Sequence, residues 1–561
     1  MPKFAHMHLH SDGSLFDSTL KVSDAVKTAS KYEHSAIALT NHGNLFDSID
    51  FYKEARQVGI KPILGMEFYL AENIEEKTRD YTHLTILAQN KKGWENLKRL
   101  TTISNKDGFY YRPRIDIKNI ENFSDGLICL SGCMSSKLSK LILSNSIHEA
   151  TYWATHLKSI FKDRFFLELM DGGVPGEDII RDASRNIGKT LNIPCVATQD
   201  AHYLHKDDHD IHEVICALAN NSTMLEKTRS EGGRRKRFTT NEFWLKDLSE
   251  MSGSLTTEEL RMSHEISEIC EKDVVEMNIN RMPVYDKDSF DKLSKFCLDK
   301  AVNKDDKTKQ RLNKELGDIK EANLADYFLI VKDIVDWTRT NDIPINSGRG
   351  SAAGSLVVHL LGITEVDPIQ YGLMWERFYN VGRKGSMPDI DIDVCINRRA
   401  EVISYIGKRF GEDRVSHIMS LDTFGIRACI RDVGRAIGLS KDYLEVITKD
   451  IPHKGIKTID QAKEKVAALK TLLDKNPALD RLAKKALGLK KHLTTHPSAI
   501  VIGNNSFYEG DIPMAYNASK QLLMTGLDMY SLEDLGYLKL DWLGLKTVTL
   551  IGETERLINS R

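Results

Sequence analysis

Two imidazoles on alternate residues of an extended segment share a face, roughly 7 Å apart at about 3.3 Å per residue, and can reach one metal or two neighbouring metals. His8 and His10 have that spacing. Other groups of the same chemistry fall beside short apolar runs. Asp17 lies in the loop after the first run, His42 follows Ala36–Leu39, and Glu67 follows 63–64. His83 opens the run ending at 88, Cys133 follows Leu127–Leu130, and Asp200 and His202 follow 195–198. Parallel sheets and barrels build active sites at the carboxyl ends of their strands. Imidazoles, carboxylates and one thiol in this number suit a cluster of Zn, Mn or Fe.

A second group has a different chemistry. In Asp389-Ile390-Asp391-Ile392-Asp393, a period of two puts three carboxylates on one strand face and the isoleucines on the other. Like charges aligned on one face are costly unless cations compensate, and carboxylates holding divalent ions are common machinery for phosphoryl transfer. Upstream, residues 347–355 read SGRGSAAGS before an apolar, helix-compatible run at 356–361. Gly348, Gly350 and Ser351 would let backbone N–H groups approach a phosphate, with the positive helix end behind them. No GK[ST] closes this loop and no GxGxxG fits it. Arg349 and Arg377 can neutralise triphosphate charge. Near the C-terminus Lys539 and Asp541 alternate on one face, offering a cation and a further carboxylate.

Elements that would position these groups are legible in the hydropathy pattern. Residues 4–10 alternate, helices are expected at 20–32 and 46–58, and strands at Ala36–Leu39, 84–88, Leu127–Leu130, Phe165–Leu169 and 195–198. Repeated strand–helix units predict a parallel sheet with crossovers, open or closed into a barrel. From 252 to 335 and from 440 to 491 the pattern is helical and charged, the latter ending in Lys484, Lys485, Lys490 and Lys491. These lysines are candidates for backbone contacts to DNA. The most biased segment, 227–237, carries Lys227, Arg229, Arg234, Arg235, Lys236 and Arg237, and reads equally as a surface loop or a nucleic-acid contact.

The chain has 561 residues, 41% hydrophobic and 28% charged, with a net charge of −2. Three or four domains are expected for that length, and a uniformly basic nucleic-acid coat is excluded. Its eight cysteines form no CxxC pair, which excludes a disulfide scaffold, zinc ribbons and thioredoxin chemistry. No apolar signal core opens the sequence and no run is long enough to span a bilayer, so the expected location is the cytoplasm.

HMHLHSD, TNHGN, GIKPILGME, HLTILA, LSGC and TQDAHYL resemble the polymerase-and-histidinol-phosphatase (PHP) domain that opens bacterial C-family replicative polymerases. SGRGSAAGSLV, WERFYN, SMPDIDIDV, FGIRACIRDVGR, HPSAIVI and GYLKLDWLGLKT are similar, in order, to the palm of the same family, the polymerase III alpha subunit. The resemblance implies an α/β and α+β multidomain chain: a PHP (β/α) barrel at 1–270, a nucleotidyltransferase-type palm at 271–423 and 496–561, and a helical thumb inserted at 424–495. It implies a PHP metal set of His8, His10, Asp17, His42, Glu67, His83, Cys133, Asp200 and His202, holding Zn, Mn or Fe and associated with 3′→5′ proofreading. Asn41 departs from the family's usual Asp. In the palm it implies Asp391, Asp393 and Asp541 as catalytic aspartates with Mg, Asp389 in support, Lys539 beside the third, and Gly350 and Ser351 on the triphosphate. Primer-template DNA and deoxynucleoside triphosphates are the implied substrates.

Members of the family continue past the third aspartate through fingers, whereas this chain stops at Arg561. Either the core is cut there or the gene is split, as in a phage genome, and a second polypeptide supplies the fingers and, through it, a sliding clamp. Processive synthesis by this chain alone is then expected to be weak or absent. Two other readings are a PHP phosphoesterase or exonuclease with a vestigial palm, and a non-catalytic replisome scaffold.

Overall fold

In the computed structural model, residues 3–251, 253–380, 388–452 and 454–560 are described; the first two residues of the SMPDIDIDV motif, Ser386 and Met387, lie outside them. The chain divides into two compact units. The first is Met1–Val275 with Leu421–Thr494 and Ile512–Leu527, and the second is Glu276–Ser420 with Thr495–Asp511 and Asp528–Arg561.

The first unit is built on a nine-stranded sheet. Its strands are β1 (Ala5–His6), β2 (Ala36–Leu39), β3 (Lys61–Leu70), β4 (Thr82–Ala88), β5 (Phe109–Tyr110), β6 (Arg112–Ile115), β7 (Leu127–Leu130), β8 (Phe165–Leu169) and β9 (Cys195–Ala197). Their order is β1-β2-β3-β4-β7-β8-β9, with β5 and β6 beside β3. Beyond the last strand Ala201 pairs in parallel with Leu9, and His10 N–H donates to Ala201 C=O at 2.9 Å. That pairing brings the two ends of the sheet together, as the barrel reading expects. Helices at Val22–Lys31, Ser48–Val58, Lys91–Lys106, Ile147–Phe161 and Glu177–Leu191 alternate with the strands, each burying an apolar face. Met7, Ala38, Ile63, Leu87, Ile128 and Val196 from successive strand segments form one buried cluster.

The expectation of a parallel sheet with crossovers is corrected at β4, which runs antiparallel to both β3 and β7, and at the short pair β5 and β6, which is also antiparallel. A parallel partner needs a crossover of a dozen or more residues, usually helical. Residues 71–81 between β3 and β4 carry no helix and allow only a reversal.

Residues 421–494 contribute helices at Lys441–Lys449, Ile459–Lys465, Ala467–Lys475 and Pro477–Ala486. Leu444, Leu469, Leu472 and Leu482 from them share a core with Ile211, Val214 and Ile215 of the helix His209–Ala219, so this stretch packs within the first unit. A hairpin of two further strands, at Met514–Asn517 and Leu522–Thr525, packs on the helix Lys91–Lys106, where Tyr516 N–H donates to Asn105 Oδ1 at 3.0 Å.

The second unit holds β10 (Ile392–Cys395) parallel to a strand at Leu538–Leu545, which in turn is antiparallel to residues 499–502. Helices at Ser289–Ala301, Asp306–Glu321, Ala325–Thr340 and Arg399–Phe410 accompany this sheet. Ile390, Ile392, Ile500, Leu540 and Trp542 are buried in its core, which is why the alternating aspartates are left on the opposite face. No helix among the described residues is long and apolar enough to cross a membrane.

Candidate metal centres

The strand ends of the first unit converge on one buried site. His8 Nε2 lies 3.2 Å from His10 Nε2, and His10 Nε2 lies 3.2 Å from Asp200 Oδ1. Asp17 Oδ2 is 3.2 Å from both His42 Nε2 and His202 Nε2. Glu67 Oε1 is 3.1 Å from His83 Nδ1 and accepts from Cys133 Sγ at 3.2 Å. The rings of His42 and His202 stack on His10 at 4.3 and 4.5 Å. All nine residues singled out in the sequence therefore meet. Eight of them form three overlapping sets, His10–Asp17–His42–His202, His8–His10–Asp200 and His42–Glu67–His83, in each of which the ligand atoms lie within 4.8 Å of one another, and Cys133 joins through Glu67.

These atoms are poorly satisfied by one another. His42 Nδ1, Glu67 Oε2 and Asp200 Oδ1 are buried without a hydrogen-bond partner, although His42 Nδ1 and Glu67 Oε2 approach to 2.8 Å. Burying polar atoms unpaired is costly, and divalent cations held by the sets His42–Glu67–His83 and His8–His10–Asp200 would relieve that cost. Burial and the neighbouring His42 and His202 hold the His10 imidazole down to about 3, so the ring is neutral and able to bind a metal. Burial alone would raise the Asp17 and Glu67 carboxyls, but surrounding imidazoles and, for Asp17, Lys236 hold both well below the usual range. The donor set fits divalent metal binding.

Glu168 also belongs here, though sequence reading passes over it. This buried carboxylate at the end of β8 lies 2.8 Å from His8 Nδ1 and accepts from Thr198 Oγ1 at 2.7 Å and Gly132 N–H at 3.0 Å. It fixes the ring so that Nε2 faces the cluster, the usual support for a ligating histidine. The signal was a lone carboxylate inside an apolar strand, Phe-Phe-Leu-Glu-Leu. Asn41, the departure from the family pattern, accepts from Ser11 N–H at 2.8 Å and donates to Ser11 Oγ at 2.8 Å, tying the loop after His10 to the loop that carries His42.

In the second unit, ligand atoms of Asp389, Asp391 and Asp541 lie within 4.8 Å of one another. The parallel register of Ile392 with Trp542 sets Asp391 beside Asp541. Lys539 Nζ is 3.1 Å from Asp541 and 3.8 Å from Asp389; these carboxylates outweigh burial and hold its ammonium charged. Burial, and then the repulsion of Asp541 and Asp393 against the opposing pull of Arg349, raise the Asp391 carboxyl above its ordinary value. Such a set is short of positive charge and fits a divalent cation. Asp393 is held differently: Arg349 Nε donates to Oδ1 at 2.9 Å and Asn346 Nδ2 to Oδ2 at 3.1 Å. Arg349 also reaches Asp391 at 3.1 Å, so in this structure it pairs with the aspartates. Asn346, Tyr327, which accepts from Ile390 N–H at 2.8 Å, and Ser498, which donates to Asp541 at 3.1 Å, were not singled out from sequence.

The glycine loop passes directly over these carboxylates. Gly350 has φ +68°, and a Cβ there would lie 3.1 Å from Asp391 Oδ2; at Gly348, φ +114°, it would lie 2.0 Å from Thr364 Oγ1. Both positions therefore require glycine. Ser351 is exposed on the turn Gly350–Gly354. The expected positive helix end behind the loop is corrected. The helix Leu356–Leu360 has its first N–H groups, Leu356 and Val357, donating to the buried carboxylate of Glu315, each at 3.0 Å, so that end is already neutralised from within.

The PHP domain family matches residues 6–172, and the family described as the bacterial DNA polymerase III alpha NTPase domain matches residues 286–544. The chain is 36% identical to DNA polymerase III subunit alpha of Borreliella burgdorferi, covering 100% of this chain and 50% of that protein. It is 33% identical to the same subunit of Aquifex aeolicus (100% and 52%) and of Campylobacter jejuni (100% and 50%). The chain belongs to the bacterial DNA polymerase III alpha family. It spans about half the length of the curated relatives it matches, and corresponds to the half that carries the PHP and NTPase domains.

Each of the four lysines named from the charge pattern has a carboxylate partner. Lys484 pairs with Asp460 at 2.6 Å and Lys485 with Asp208 at 2.6 Å. Lys490 pairs with Asp12 at 2.7 Å and Asp47 at 3.1 Å, and Lys491 with Asp432 at 2.7 Å. Lys490 and Lys491 open the strand Lys490–Ile502 rather than end a helix. All four are engaged by carboxylates of the first unit, with Lys484 and Lys485 more exposed than Lys490 and Lys491. Arg377 is exposed on the turn Trp375–Arg377 and, among the described residues, is not one of the groups contacting the aspartates.

Proposed function

We propose that the aspartate cluster performs nucleotidyl transfer, adding deoxynucleotides from their triphosphates to the 3′ end of a primer on template DNA. The observation that carries this reading is the convergence of Asp389, Asp391 and Asp541 within 4.8 Å beside Lys539. Asp391 and Asp541, with Asp389 or Asp393 in support, would hold Mg²⁺; bound divalent ions lower the pKa of an attacking hydroxyl and stabilise the leaving oxygens. Lys539 neutralises charge arriving with the triphosphate. Gly350 and Ser351 bring the backbone close to the phosphates, with Gly348 shaping the approach. Arg349, which pairs with Asp391 and Asp393, exchanges these carboxylate partners for phosphate when nucleotide arrives. In this reading 271–423 and 496–561, less the hairpin at 512–527, form the palm, and 424–495 the thumb, with Lys484, Lys485, Lys490 and Lys491 along its DNA side.

The nine-residue cluster is read as a metal-dependent phosphoesterase holding Zn²⁺, Mn²⁺ or Fe²⁺ and acting on the 3′ ends of DNA. There His8, His10, Asp17, His42, Glu67, His83, Cys133, Asp200 and His202 are the ligands, and Glu168 orients His8.

Both halves are tested on one substrate, a primer-template with a matched or mismatched 3′ end. Single-nucleotide incorporation with Mg²⁺ is expected from the wild type, slowly, and not from Asp391→Asn or Asp541→Asn. Mismatch removal with Mn²⁺ is expected to disappear in Asp200→Asn and survive in Asp391→Asn. Equal rates for wild type and variants, zero included, would overturn the corresponding half.

A further inference from the structure

The basic segment 227–237 delivers one side chain to the nine-residue cluster. Lys236 Nζ lies 2.6 Å from Asp17 Oδ1, while Asp17 Oδ2 faces His42 and His202 at 3.2 Å. The two carboxylate oxygens are thus divided, one toward the ligand set and one toward the ammonium. Lys236 is held in that direction from several sides. Its flanking residues turn the other way, Arg237 pairing with Glu213 and Arg235 Nη1 standing 3.8 Å from the same carboxylate. Its ammonium lies 5.0 Å from the centre of the Phe238 ring, and Phe238 packs edge-on against His212 and His202 at 4.5 and 4.9 Å. His212, on the same helix as Glu213, lies 2.8 Å from the Asp17 carbonyl oxygen.

An ammonium has three donors, and the Lys236 side chain remains 38% exposed while Asp17 is 14% exposed. The lysine is therefore on the outer, more exposed side of the pair, and Asp17 Oδ1 is its one hydrogen-bond partner among the described residues. A phosphate bound by cations in the cluster would need a donor on that outer side for its remaining oxygens, and lysine suits this as a point charge.

We propose that Lys236 is the phosphate-contacting residue of this cluster, gripping a non-bridging oxygen of a phosphate ester while it orients Asp17. The inference rests on the phosphoesterase reading above. Its two flanking arginines, Arg235 and Arg237, face Glu213 instead, which leaves Lys236 as the one of the three that reaches the cluster.

The test uses the full chain in an Asp391→Asn background, which disables the aspartate cluster of the second unit. Mn²⁺ is titrated calorimetrically, then inorganic phosphate into the Mn²⁺-loaded protein, for Lys236, Lys236→Met and Lys236→Arg, with circular dichroism confirming folding. All three should take up Mn²⁺. Lys236→Met should bind phosphate about tenfold or more weakly, the size of a lost charged hydrogen bond, and Lys236→Arg should recover most of it. In hydrolysis of bis(4-nitrophenyl) phosphate the Met variant should lose chiefly in KM. Unchanged phosphate affinity in Lys236→Met would overturn the proposal, as would a defect confined to Mn²⁺ uptake, the mark of a residue that only positions Asp17. If the protein with Lys236 intact takes up Mn²⁺ but no phosphate, this inference alone fails. If it takes up no Mn²⁺, the phosphoesterase reading fails first and takes the inference with it.

Discussion

Asp391 carries the tension between function and stability in its own carboxyl group. Its pKa is raised in the folded chain, so folding disfavours the ionised form; the stability it contributes is present at low pH and lost as pH rises through that raised value. At neutral pH without divalent ions the carboxylate is a liability that a bound cation would remove. Asp391→Asn is therefore expected to raise the melting temperature of the metal-free chain at pH 7 while lowering nucleotide incorporation by roughly 10²–10³-fold; a thermal melt beside a single-turnover assay checks both. His34 behaves oppositely. It is 6% exposed with neither ring nitrogen hydrogen-bonded, and burial, helped by His6, lowers it to about 3. The stability it confers is present above pH 6.5 and is lost as pH falls from there toward 3. Melting temperatures measured from pH 7.5 to 5 should fall less steeply for His34→Leu than for the wild type.

Between elements, legibility depended on how far apart in sequence the partners lie. Strands such as Ala36–Leu39 and Leu127–Leu130 were readable because they are short, apolar and buried on both faces, and that in turn placed His42 and Cys133 at strand ends. The direction of β4 was hidden because alternation says nothing about which way a strand runs. The partners of the lysines were hidden because nothing local announces them: Lys490 and Asp12 are 478 residues apart. That pair now has a definite role. Lys490 bridges Asp12 and Asp47, Asp47 Oδ2 accepts from Ser11 Oγ at 2.5 Å, and Ser11 is bonded to Asn41, so one ammonium braces the loops that follow His10 and carry His42. Lys490→Met leaves two buried carboxylates unpaired and should cost roughly 3 kcal/mol in urea unfolding, with weaker Mn²⁺ binding at the nine-residue cluster. The Glu315 carboxylate under Leu356–Leu360 is a similar case: a helix end that looked open to phosphate in the sequence is closed by a residue some forty positions upstream.

For the whole molecule, the consequence is that each cluster draws all its ligands from a single compact unit: His8 through His202 from the first, Asp389 through Asp541 from the second. Damage to one site should therefore leave the other chemically intact, which the crossed variants Asp200→Asn and Asp391→Asn report. The central claim is that both collections of acidic groups exist to hold cations. The most direct measurement is anomalous diffraction from crystals of the chain soaked in Mn²⁺. The account predicts strong peaks among His10, Asp17, His42, Glu67 and Asp200, and a separate one between Asp389, Asp391 and Asp541. A map with neither peak, at a Mn²⁺ concentration that saturates the protein in solution, would contradict it.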